Sequence, residues 1–83
     1  QQTEQLQMVL TRANLKILGG TTLFQTVKTS RANHLHDHLA QAAIWTRKFS
    51  RMPDLLRFGV PANATDFARL SESLNNWRYK ANQ

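Results

Sequence analysis

Eighty-three residues without a cysteine leave no room for two independent cores, and they exclude disulfides, thiolate metal sites and a cysteine nucleophile. Eleven Lys and Arg against five Asp and Glu give a net charge of +6, a surplus that attracts polyanions: nucleic acid first, then anionic membrane surfaces or acidic proteins. The longest apolar run, Ala42 to Trp45, is four residues against the roughly 20 needed to cross a bilayer, so no membrane span is expected and the expected location is intracellular, in the cytoplasm.

Gln1 to Leu18 reads as a first helix, because Leu6, Val9, Leu10, Ala13 and Ile17 recur at three- and four-residue spacing. Thr3 is its predicted N-cap, Glu4 suits its first turn, and Gly19-Gly20 supplies a stop. Leu23 to Lys28 fits either a helical turn or two or a short strand.

Ser30 is the predicted cap of a central helix over Arg31 to Arg51, about 31 Å long at the standard rise. Steps of 100° group Ala32, Leu35, Leu39, Ala42, Ala43, Thr46 and Phe49 on its core face. His34, His38, Trp45 and Met52 form an adjoining strip, and Ile44, Arg47, Lys48 and Arg51 lie opposite the core. Met52-Pro53 ends this helix, since a residue before proline is pushed out of the helical region. A short helix follows over Asp54 to Phe58. Thr65 then caps a last one, whose apolar face is Phe67, Leu70, Leu74 and Trp77. The fold expectation is all-α: a small bundle of four or five short helices around one longer central helix, in a single domain over residues 1–83.

The string His34-Leu35-His36-Asp37-His38 draws the eye as a metal site. On a helix only His34 and His38 share a face, which is half of a zinc site at best, so no metal ligands are assigned. These two histidines, with Ile44 and Trp45, are nominated as a protein interface. Neither a Gly-x-Ser-x-Gly elbow nor a phosphate-cradling glycine loop is present, and no pair of carboxylates suits acid/base work. The chain is therefore expected not to be an enzyme and to carry no cofactor.

Arg47, Lys48, Arg51 and Arg57 fall within fourteen residues that hold one acid, Asp54. Arginine forks and a cation-rich face suit phosphates, so these four, with Arg69 from a second basic group that includes Arg78 and Lys80, are the nominated nucleic-acid contacts. Leu55 to Leu74 resembles a helix-turn-helix, the DNA-binding unit of many small bacterial regulators, although Phe67 follows the turn glycine Gly59 by eight residues where about six is usual. That resemblance implies Asp66, Arg69, Ser71 and Ser73 facing a DNA groove. The functional expectation is a non-enzymatic basic module that contacts the phosphate backbone, within a nucleoprotein assembly or as a small regulator. The alternative is a helical accessory subunit of a multiprotein complex. Its partners are other protein chains or further copies of itself.

Overall fold

A computed structural model of the chain describes residues 2–81, with side chains over 2–77. Seven elements follow one another: α1 (Gln2–Arg12), β1 (Lys16–Gly20), β2 (Phe24–Lys28), α2 (Ala32–Gln41), β3 (Thr46–Phe49), β4 (Met52–Gly59) and α3 (Ala64–Ala81). The all-α expectation is wrong. The fold is α/β, with three helices and a four-stranded antiparallel sheet in the order β1-β2-β4-β3.

The helices are shorter than expected because the backbone turns left-handed at two ordinary residues. Asn14 has φ 62° and ends the α1 turn, so the apolar Leu15 and Ile17 continue into β1 rather than along a helix. Ala43 has φ 59° and ends α2 in a Schellman motif: the Ile44 N–H donates to the Leu39 carbonyl at 2.9 Å and the Ala43 N–H to the Ala40 carbonyl at 2.9 Å. The predicted central helix therefore stops about halfway, and its second half is β3 and the turn that leads into β4. Asp54 to Phe58, expected as a helix, lies inside β4. Gly19-Gly20 is no helix stop but part of β1, whose pairing with β2 shifts register between Ile17 and Gly19. Gly20 is there because a Cβ would sit 2.2 Å from the Phe24 carbonyl oxygen across the turn.

Capping also departs from expectation. Asn63, not Thr65, caps α3, its Oδ1 accepting from the Asp66 N–H at 2.9 Å. At the start of α2, Arg31 is the flanking residue and makes no side-chain cap.

The core lies between the sheet and a single layer of helices. Leu6 and Leu10 of α1, Leu35 and Leu39 of α2, and Phe67, Leu70, Leu74 and Trp77 of α3 pack with Val27, Leu56 and Phe58 of β2 and β4. Alternation along the strands sends Thr26 and Arg57 to the opposite face. Every described helix is committed to one side, so among the described residues nothing covers the other side of the sheet. Gln25 is the one buried polar residue described. Its Nε2 donates to the Thr21 carbonyl at 3.0 Å and its Oε1 accepts from Gln7 at 3.4 Å, so it ties α1 to the start of β2 without an orphaned group.

No helix among the described residues is long and apolar enough to cross a membrane.

Candidate functional site

Register places one transverse row across the middle of the uncovered face. Gly19 lies opposite Thr26, Thr26 opposite Arg57, and Arg57 opposite Arg47. Facing residues on antiparallel strands have Cα atoms roughly 4.5–5.5 Å apart, so two guanidinium groups rise side by side beside a stretch with almost no side-chain bulk. Like charges in this position cost the fold stability. No carboxylate among the described residues lies within ion-pair distance of Arg47, Arg51 or Arg57, whereas Lys28 has Asp54 at 3.8 Å and Arg69 has Asp66 at 3.5 Å.

The acids are on the other layer. Glu4, Asp37, Asp66 and Glu72 sit on helices, and only Asp54 is on a strand. Arg47, Lys48, Arg51 and Arg57, with Ser50 and Met52, line a shallow cavity of about 440 Å³ at the β3–β4 hairpin. A concave, cation-lined surface whose arginines have no carboxylate partner among the described residues has the chemistry to receive an anion.

Arg57 is the best-held cation of the group. It is half-buried on the central strand β4, and its guanidinium lies over the Phe24 ring, 4.4 Å from the ring centre. Arg47, Lys48 and Arg51 are exposed on the edge hairpin. Four of the five nominated phosphate-contacting residues thus converge in one place. Arg69 does not; it is on α3, bound to Asp66 and donating to the Ala42 carbonyl. The side chains of Arg78 and Lys80 fall outside the described residues.

The nominated interface residues divide as well. Ile44 is half-buried against the core, while Trp45 is 72% exposed. Together with Val60 and Pro61 they line a second cavity, of about 290 Å³, where the α2–β3 and β4–α3 connections meet. The histidines serve as ties of α2. His38 Nε2 donates to the Ser73 carbonyl at 2.8 Å, His36 shares a 2.7 Å hydrogen bond with Thr46 Oγ1, and His34 Nδ1 accepts from Trp77 Nε1 at 2.9 Å. No group of three potential metal ligands occurs among the described residues. The helix-turn-helix likeness ends with the strand: Leu55 to Gly59 is extended, so no first helix exists to cross a DNA backbone.

Phe24, Thr26 and Gly19 were not legible as site residues. Their relevance arises from cross-strand register, which no local pattern encodes.

No protein-family model matches the chain. It is 36% identical over 81 residues to the threonine-phosphate decarboxylase of Pseudomonas aeruginosa, a match covering 98% of this chain and 24% of that protein. It is 41% identical over 69 residues to the threonine-phosphate decarboxylase of a Sinorhizobium species, covering 83% of this chain and 21% of that protein. The chain spans about a quarter of the length of the curated relatives it matches. Relatives named for an enzyme overturn the expectation of a non-enzymatic nucleic-acid-binding module, and with it the alternative of a helical accessory subunit.

Proposed function

We propose that this chain is part of an enzyme that decarboxylates a phosphorylated amino acid of the threonine-phosphate kind, and that the uncovered sheet face binds the substrate's anionic groups. The single observation that carries this reading is the Arg57–Arg47 pair, facing each other across β4 and β3 with no carboxylate between them. Similarity over nearly the whole chain to two threonine-phosphate decarboxylases supplies the substrate chemistry. Threonine phosphate carries two anions, a planar carboxylate and a phosphate, within a few bonds of each other.

The two arginines suit these groups differently. A carboxylate is planar and takes a bidentate fork, which fits Arg57, whose guanidinium carbon lies over the Phe24 ring. A phosphate carries more charge spread over three oxygens, which fits Arg47 with Arg51 around the hairpin cavity. Loss of carbon dioxide breaks the bond between the carboxylate and the α-carbon and leaves an electron pair on that carbon. Taking up that pair is the work of an electron sink that amino-acid side chains do not provide. The lysines on the strands, Lys16, Lys28 and Lys48, are exposed rather than enclosed, and the described residues are assigned to binding and orientation alone.

The phosphate is unchanged in the transition state, so contacts to it lower KM without raising kcat, whereas the carboxylate loses its charge as carbon dioxide forms, so a contact to it holds the bound substrate more than the transition state. The test is decarboxylation of threonine phosphate by the full-length protein, compared with its Arg57→Ala and Arg47→Ala variants. Each substitution is expected to raise KM by about ten-fold or more, as for loss of a charge-assisted hydrogen bond. Unphosphorylated threonine is expected to be a poor substrate of the unaltered protein and to be indifferent to Arg47→Ala. If neither arginine variant changes KM, the reading is wrong.

A further inference from the structure

We infer that Phe24 is a positioning residue, which presents the edge of the Arg57 guanidinium to the substrate's carboxylate. The inference rests on the reading of Arg57 given above and adds the device that aims it.

The device begins with register. Phe24 lies directly opposite Gly59 on β4, and Arg57 is two residues before Gly59 on the same strand and the same face. Diagonal neighbours of this kind are about 7–8 Å apart, within reach of an aromatic ring and a long side chain. Because residue 59 is glycine, nothing opposite Phe24 competes for the space its ring would fill; a Cβ built there meets no atom within 4 Å. The ring is free to lie toward Arg57, and the guanidinium carbon sits over it at 4.4 Å.

Stacking uses the flat face of a guanidinium, where it carries no N–H. The N–H groups lie in the plane and point outward along its edge. A cation held by a ring rather than by a carboxylate therefore keeps its N–H fork available. Among the described residues no acid occupies the Arg57 edge. The ring also removes rotamers that a four-carbon-reach side chain would otherwise sample, so less freedom is lost when the carboxylate arrives. Thr26, directly opposite Arg57 on β2, and Gly19 beyond it are too small to block the approach from that side.

The experiment measures KM and kcat for threonine phosphate in the full-length protein with Phe24→Leu, Phe24→Tyr and Arg57→Ala. Phe24→Leu keeps an apolar residue on the strand but removes the π-face. It is expected to raise KM about three- to thirty-fold, the range spanned by exposed to desolvated cation–π contacts, with kcat within about two-fold of the unaltered value. Phe24→Tyr keeps the face and is expected to restore KM. If Arg57→Ala raises KM and Phe24→Leu does not, the positioning role is overturned while the reading of Arg57 stands. If Phe24→Tyr is as impaired as Phe24→Leu, the ring face is not the operative feature and the inference is likewise overturned. If Arg57→Ala leaves KM unchanged, the underlying reading fails and takes this one with it.

Discussion

Trp77 Nε1 donates a 2.9 Å hydrogen bond to His34 Nδ1, joining the far end of the described α3 side chains to the first turn of α2. The accepting nitrogen has to be unprotonated, which fixes the His34 proton on Nε2. Arg31 lies over the same indole, its guanidinium carbon 5.4 Å from the ring centre, and its Nη2 approaches His34 Nδ1 at 3.4 Å. Trp77 is buried to 6% exposure whereas His34 is exposed, so the tryptophan N–H depends on one surface residue for its partner.

Replacing His34 by Ala is accordingly expected to destabilise the fold by about 1 kcal/mol, the lower part of the range for an unsatisfied buried donor, because water reaches the vacated place. His34→Gln, which returns an acceptor at the end of a flexible chain, should recover part of that loss. Denaturant melts of the two variants check this; equal stability of His34→Ala and the unaltered protein would remove the bond from the account.

The end of α2 offers a change in the opposite direction. Ala43 occupies the left-handed position of a Schellman motif at φ 59°, with its side chain exposed. An L-residue there is strained by about 1 kcal/mol, and glycine is not. Ala43→Gly is expected to raise the unfolding free energy by a sizeable part of that figure, measured by the midpoint of a urea transition at unchanged slope.

That alanine also explains why the fold was only half legible. Stripes such as Leu6 with Leu10, Leu35 with Leu39, and Phe67 through Trp77 were read at their helical spacing and all are buried. Leu23 to Lys28 already suits a short strand and holds β2, but β1, β3 and β4 are hidden because they are brief or their alternation is blurred: β3 is four residues, and in β4 the adjacent Leu55 and Leu56 are both apolar. Without glycine at position 43, nothing local announced that α2 ends there, so the pattern ran on into Arg51. The site suffered for the same reason. Arg47 and Arg57 were both singled out from charge, but they are ten residues apart, a spacing that helical geometry does not bring together and hairpin register does. Phe24 carries no charge and became relevant only through its strand neighbour.

Gly59 tests the arrangement of the site without touching a charge. A Cβ at 59 meets nothing within 4 Å, so the backbone has room for the branch of Gly59→Val, which in a strand should even favour the extended conformation. It would, however, fill the space opposite Phe24 and push the ring off the Arg57 diagonal. The expected outcome is a melting temperature equal to or above that of the unaltered protein, together with a weaker affinity for threonine phosphate. Unchanged affinity would show that the ring holds its place by other contacts.

The Arg47–Arg57 pair sets stability against binding. Two cations on facing strand positions repel, and opposing like charges cost up to about 1 kcal/mol at such sites. Arg47→Thr removes the repulsion and puts a β-branched residue on an edge strand, so it is expected to stabilise the fold by about 0.5 kcal/mol. The same substitution removes a cation from the cavity shared with Arg51 and Lys48, and binding of a phosphorylated substrate should fall. Added inorganic phosphate separates the two effects: an anion that binds the folded protein raises its melting temperature in proportion to the logarithm of its concentration above Kd. That rise should be clear for the unaltered protein and small for Arg47→Thr, so the variant starts more stable in the absence of phosphate and loses its lead as phosphate is added. Parallel titration curves for the two proteins would mean that Arg47 meets no phosphate, and the pair would then be a strain with no function to account for it.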